Sequence, residues 1–238
     1  MSTQPTSQLS SSVITSSDSS LNVASKVLVL CGVCGCGKSS IATKIIEYLN
    51  SNSHITGLSP NDYTFIEGDT FHSVSNIEKM KNGIPLTDND RKPWLLAIHL
   101  QIMNEIKHNR KLIIVTCSAL KHQYRELLIA GDNYLCEREE DILNQPIIAN
   151  ENMTLPQQSL NVKWYFVHLT TNKDVISQRM QERTGHYMNP SLIQSQFDCL
   201  DMIPFDPQRF PNAILVSVEN EGPMDMVVDN ILSFVLHK

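Results

Sequence analysis

The chain has 238 residues, a formal charge of −6 and only 18% charged side chains, enough for one domain with a sizeable core. The acidic balance argues against a nucleic-acid footprint, and no apolar run reaches membrane-spanning length. With no apolar h-region and no Lys or Arg in residues 1–25, neither a secretory nor an organellar address is expected, so the default setting is reducing and cytoplasmic.

In chain order, Met1 to Asn22 is rich in Ser, Thr and Gln and reads as a disordered tail, with the folded domain running from Val23 to Lys238. Lys26 to Cys31 is an apolar, β-branched run, the length of a buried strand. Gly32-Val33-Cys34-Gly35-Cys36-Gly37-Lys38-Ser39 follows, fitting G-x-x-x-x-G-K-[ST], and three of the nine glycines fall in it. Ser40 to Asn50 then places Ile41, Ile45 and Leu49 on one helical face. Strand, loop and helix are the context in which this motif cradles phosphates, with backbone N–H groups from Gly32 through Ser40 turned toward an anion at a helix N-terminus. Lys38 is expected on the β- and γ-phosphates of ATP and the Ser39 hydroxyl on Mg²⁺. Cys34 and Cys36 lie beside the helix N-terminus and Lys38, which lowers thiol pKa, so a thiol reagent should inactivate the protein and ATP should protect it. A metal at Cys31, Cys34 and Cys36 is argued against, because zinc there would distort the loop and no second Cys/His pair has finger spacing.

Tyr63 to Glu67 reads as a second strand, ending in Gly68-Asp69. Asn76 to Asn82 reads as a short helix, and Arg91 to His108 as a longer one capped by Asp88 or Asp90, with Leu95, Ile98, Ile102 and Ile106 on one face. Lys111 to Cys117 is a third strand and Ser118 to Ile129 a helix. Leu135 to Asn161, with its acidic run, is too long for an ordinary connection and reads as a surface insertion. Lys163 to Leu169 is a fourth strand. Helices follow at Asn172 to Arg183 and Pro190 to Leu200, then a fifth strand at Ala213 to Val218 and a last helix at Pro223 to His237. Alternating strands and helices, with apolar strands, predict a three-layer α/β/α fold on a five-stranded parallel sheet.

Among P-loop proteins a GTPase is excluded: Asn172-Lys173 is followed by Asp174 one position early for N-K-x-D, and no D-x-x-G occurs. Glu67-Gly68-Asp69 supplies a carboxylate after the second strand, as a small-substrate kinase requires. Here the motifs become specific. Asn76-Ile77-x-Lys79-Met80-x-x-Gly83-Ile84-Pro85-Leu86-Thr87-Asp88-x-Asp90-Arg91-x-Pro93-Trp94-Leu95 resembles the gluconokinase signature. So do Glu67-Gly68-Asp69-x-x-His72, Cys117-Ser118-Ala119-Leu120-Lys121-x-x-Tyr124-Arg125, and Arg179-Met180-x-x-Arg183-x-Gly185-His186-x-Met188 followed by Ser195-Gln196-Phe197. The resemblance runs from Lys26 to Leu200, broken by Leu135 to Asn161, which the family's compact members lack. It implies ATP-dependent phosphorylation of D-gluconate to 6-phosphogluconate, feeding the pentose phosphate pathway, on a fold like shikimate and adenylate kinases with a small lid. It also implies a homodimer. The competing readings are a shikimate- or nucleoside-monophosphate-type kinase, and a nucleotide-binding regulator without transfer activity.

Within that frame Asp69 is the candidate base or orienter for the 6-hydroxyl, working on Mg²⁺ through water, against the bland alternative of a helix N-cap. Glu67 is either an assistant through metal-bound water or a strand-end surface residue. Arg91, Lys121 and Arg125 are candidates for the gluconate carboxylate. Lys121 and Arg125, four apart, are expected to share a helix face. His72 is a candidate for substrate hydroxyls, and Trp94 a packing anchor. Arg179 and Arg183 are candidate lid arginines closing over the transferring phosphoryl group, with Gly185 as hinge; the bland alternative is a basic helix face with a glycine cap.

Overall fold

The computed structural model describes residues 25–131, 162–182 and 189–236. The tail expected over Met1 to Asn22 and the insertion over Leu135 to Asn161 lie outside the described residues. So do Arg183, Gly185 and His186.

Five strands form one sheet in the order β2-β3-β1-β4-β5, and every pairing is parallel. They are β1 (Ser25–Cys31), β2 (Tyr63–Glu67), β3 (Leu112–Thr116), β4 (Val162–Thr170) and β5 (Ala213–Glu219). The sequence places each within two residues at either end. β1 sits at the centre, and its side chains alternate between two cores. Leu28 and Leu30 join α1 (Lys38–Ser51) and the C-terminal α8 (Met224–Leu236) on one face. Val27, Val29 and Cys31 join α4 (Asp88–Lys107) and α5 (His122–Ala130) on the other. A central strand covered on both faces has no polar side, which is why it reads as a continuous apolar run. Each fully buried aliphatic side chain contributes about 1.5–3 kcal/mol.

Between these lie α2 (Ser53–Thr56), α3 (Val74–Lys81), α6 (Lys173–Glu182) and α7 (Ile193–Cys199). Among the described residues no helix is long and apolar enough to cross a membrane. Two expected boundaries shift for local reasons. α4 starts on a capping box: Asp90 donates its N–H to Thr87 Oγ1 at 3.2 Å, and Asp90 Oδ2 accepts from the Thr87 N–H at 3.0 Å. The cap is therefore Thr87, not Asp88 or Asp90. α5 starts at His122 rather than Ser118, because Ala119 takes a φ of 39° that no α-helix accommodates. Lys121 is the N-cap residue of α5, so it does not share a helix face with Arg125.

Parallel strands present their carboxyl ends together, and three of them converge. In register, Leu30 pairs with Thr116, and Glu67 pairs with Thr116 on the other side. Gly32, Gly68 and Ser118 therefore open on one edge of the molecule.

Candidate active site

The phosphate loop divides into a tied half and a free half. Gly32 donates its N–H to Ser118 O at 3.1 Å, and Cys36 donates to Val33 O at 3.3 Å. The Cys34 N–H is taken by Gln196 Oε1 at 2.6 Å, a buried contact from α7. Asn220 Nδ2 donates to Cys36 O at 2.7 Å from the loop after β5. Beyond these ties, the N–H groups of Gly35, Gly37, Lys38, Ser39 and Ser40 meet no acceptor among the described residues. Five unspent donors at a helix N-terminus make an anion site. Gly37 is needed here for two reasons: its φ is 99°, and a Cβ would lie 2.4 Å from Asn220 Nδ2.

Lys38 folds over the loop, its ammonium donating to Gly32 O at 3.1 Å and Val33 O at 3.0 Å. Burial pulls its pKa down, but Cys36, Cys34, Asp69 and Cys117 push harder, and the net shift is upward. Of those four only Asp69 is ordinarily an anion at neutral pH, so Asp69 stands in electrostatic reach of the phosphate-binding ammonium.

Asp69 sits in the 3₁₀ turn Gly68–Phe71 directly after β2, half-buried. It is inside the turn rather than at its cap, which is Glu67. Glu67 accepts a hydrogen bond from the Thr116 hydroxyl, so it is neither a free surface group nor unspent. His72 follows, its ring stacked on Trp94 with centroids 4.1 Å apart and 15° between planes. Burial lowers the His72 pKa to about 4, Asp69 opposing the shift and Arg91 adding to it. The imidazole is thus neutral at physiological pH, and its Nδ1 is buried without a hydrogen-bond partner.

The three expected substrate cations fare differently. Arg91 is half-buried in the first turn of α4, 5.9 Å from the centroid of Tyr124, and forms no ion pair among the described residues. Lys121 is paired with Asp88, Nζ lying 2.7 Å from Oδ1 and 2.9 Å from Oδ2. Tyr124 donates its hydroxyl to the same carboxylate. Arg125 corrects the sequence expectation of a gluconate contact. It is 1% exposed, and its Nη1 donates to the carbonyls of Ala119, Leu120 and Asp201 at 3.0–3.2 Å. Its Nη2 donates to Asp201 Oδ1 at 2.7 Å and Ile203 O at 3.0 Å. The two terminal nitrogens serve five acceptors, with Nε buried and unpaired, and pin the 201–203 segment to the turn before α5. Arg125→Met should therefore cost about 3–5 kcal/mol of stability in a denaturant titration, while the KM values of the folded fraction stay near wild type. A selective loss of acceptor affinity would return Arg125 to the binding set.

Arg179 on α6 lies against the phosphate loop. Its Nη2 donates to Asn220 O at 3.2 Å, and a Cβ on Gly37 would come 3.9 Å from its Nη1. Ile176 and Met180 of the same helix pack on Gly35. An exposed basic face is therefore not the setting of Arg179, while the glycine cap of that reading lies outside the described residues.

Cys34 and Cys36 are 8% and 0% exposed, and Cys34 Sγ lies 3.7 Å from Met180 Sδ. This removes the access on which the reactive-thiol expectation depended. Three residues were not singled out from sequence. Gln196 and Asn220 hold the loop, and His168 is buried with an unpartnered Nδ1 and a pKa lowered to about 4 by burial. Gln196 lay inside the quoted Ser195-Gln196-Phe197 motif, so a signal existed; for Asn220 and His168 none did.

A metal ion fits this site only with help from a ligand. Among the described residues no group of three His, Cys, Asp or Glu side chains gathers, whereas the Ser39 hydroxyl has no hydrogen-bond partner among them. That donor set suits a hard cation brought largely coordinated by phosphate oxygens and water.

No family model matches the chain. A probable gluconokinase of Mus musculus is 32% identical over 197 residues, covering 83% of this chain and 91% of the relative. A gluconokinase of Gluconobacter oxydans is 30% identical, covering 92% and 96%. Among solved structures, a gluconokinase from Sinorhizobium meliloti superposes with a TM-score of 0.56 at 32% identity, over 91% of this chain and 93% of that one.

Proposed function

The chain belongs to the gluconokinase family and is a kinase that phosphorylates gluconate with ATP; from that premise we propose how its residues divide the reaction. The observation that carries the division is electrostatic. Asp69 lies in electrostatic reach of both Lys38 and His72, and Arg91, without an ion pair among the described residues, in reach of His72, so these four groups gather at one end of the sheet.

The N–H groups of Gly35, Gly37, Lys38, Ser39 and Ser40 hold the β- and γ-phosphates, and Lys38 offsets their charge. The 6-hydroxyl oxygen of gluconate attacks the γ-phosphorus, the bond from that phosphorus to the β,γ-bridging oxygen breaks, and ADP leaves with the electron pair. Asp69 orients the hydroxyl and takes its proton. Such a transfer needs positioning and charge neutralisation more than covalent help. Arg179, joined by Arg183 four residues on in the sequence, neutralises the transferring group. Ser39, with Asp69 through water, would hold Mg²⁺, whose chemistry when bound is to neutralise the phosphate oxygens.

On the acceptor side, Arg91 receives the gluconate carboxylate, with Lys121 as the second cation once it exchanges Asp88 for substrate. Neutral His72 bonds a substrate hydroxyl through Nε2, the ring nitrogen that is not buried. Arg91→Ala should raise the gluconate KM roughly 10- to 100-fold, the equivalent of one charged hydrogen bond, and leave the ATP KM unchanged. A change confined to ATP would move Arg91 to the nucleotide side. The same proposal keeps the homodimer and the cytoplasmic setting; Ile214, exposed on the edge strand β5, is apolar surface that a second copy would cover.

A coupled assay for ADP release, run with and without D-gluconate, tests the whole reading. Release that requires gluconate supports it. Release with a shikimate or a nucleoside monophosphate instead, or none at all, sinks it.

A further inference from the structure

Gly68, the residue before Asp69, is held at both its N–H and its carbonyl. Gly68 donates its N–H to Thr116 Oγ1 at 3.4 Å. On the other side, the Gly68 carbonyl accepts from the indole Nε1 of Trp94 at 2.7 Å, in a buried contact spanning 26 residues. There is no slack: a Cβ at Gly68 would stand 2.2 Å from Thr116 O. Thr116 in turn donates its hydroxyl to Glu67, so Glu67 and Gly68 are both held to the end of β3.

The same indole does a second thing. Its face stacks on His72 at 4.1 Å and 15°, which orients the imidazole and removes one face of it from water. Trp94 itself is 2% exposed and stands three residues after Arg91 on α4, with Leu95 and Ile98 anchoring that helix in the core. One helical turn therefore presents the candidate carboxylate cation and the residue that aligns the candidate base. A packing anchor of ordinary kind needs only apolar area. This one spends its single donor on a specific carbonyl and its ring face on a specific imidazole.

We infer that Trp94 is a positioning residue of the acceptor side: its N–H fixes the peptide bearing Asp69, and its ring fixes the His72 imidazole. The inference rests on the roles given above to Asp69 and His72. Losing the N–H leaves the Gly68 carbonyl buried and unpaired, and the peptide must rotate or draw in water. Either moves the Asp69 carboxylate off its line to the acceptor hydroxyl, and displacements of about 1 Å cost on the order of 100-fold in rate.

Two variants separate the two contacts. Trp94→Phe keeps a ring on His72 and removes the donor. It should lower kcat roughly 10- to 100-fold, leave the Kd for ATP unchanged, and leave the His72 pKa, read by NMR, near its low wild-type value. Trp94→Leu removes both contacts and should also carry the His72 pKa upward toward the ordinary 6.5. Unchanged ATP affinity in each variant certifies the fold. Wild-type turnover in Trp94→Phe with only a lower Tm would overturn the inference and leave Trp94 a packing residue. Asp69→Asn run beside it separates the failures. If Asp69→Asn loses turnover and Trp94→Phe does not, the positioning role alone is wrong. If Asp69→Asn turns over normally, the reading beneath it is wrong as well.

Discussion

Asp69→Asn should collapse kcat by roughly 100- to 10,000-fold, the range that a positioned acid–base group contributes, while ATP still binds. The exchange is nearly isosteric, so the turn Gly68–Phe71 and its clamp by Thr116 and Trp94 should survive. What changes is charge. The amide accepts no proton from the acceptor hydroxyl, and the negative potential that helps keep Lys38 charged is gone. Isothermal titration with ATP and steady-state assay with D-gluconate read the two consequences apart. Near-normal turnover would refute the base role. Loss of ATP binding in equal measure would place Asp69 on the nucleotide instead.

Lys38→Met should cost as much, but by another route. The ammonium sits at the rim of five unspent N–H donors, and its bonds to Gly32 O and Val33 O are ones that phosphate oxygens can replace. Removing it takes a full positive charge from the place where charge builds up on the transferring group, and a lost preorganised donor costs about 100- to 1,000-fold in kcat. Because Lys38 also faces the ground-state phosphates, ATP affinity should weaken too, which Asp69→Asn does not predict. Gluconate affinity should hold. If Lys38→Met changed the gluconate KM alone, the loop would not be the triphosphate site.

Why some of this site could be read from the chain and some could not comes down to range. The P-loop is a local object: strand, glycine turn and helix N-terminus lie within the 16 consecutive positions from Ser25 to Ser40, and the donors it needs are its own backbone. The same holds for Asp69, which follows β2 directly, and for Arg91 in the first turn of α4. Periodicity located α1 and the core face of α4, because burial on one side forces apolar spacing.

Arg125 shows the other case. Four residues after Lys121, it looked like a cation on a shared face. Its fate was decided by Asp201 and Ile203, more than 75 positions away, which turned a charged side chain into an internal brace. Spacing along one helix says nothing about which acceptors a distant segment brings to it. Cys34 and Cys36 are similar: the motif placed them by an anion site, and packing of α6 and the core then buried them.

The sequence by itself determined the chemistry on offer: a phosphate-binding loop, a carboxylate one strand away, a cation opening α4, and a parallel sheet to bring their ends together. Local backbone geometry and apolar periodicity carry that information, and both are written in neighbouring residues. Only the tertiary structure decided what holds those groups still. Gln196 reaches the loop across 162 positions, Asn220 across 184, and Trp94 closes on Gly68 from another element. A single amide or indole hydrogen bond has no period and no spacing rule, so it exists only once the chain has folded around it.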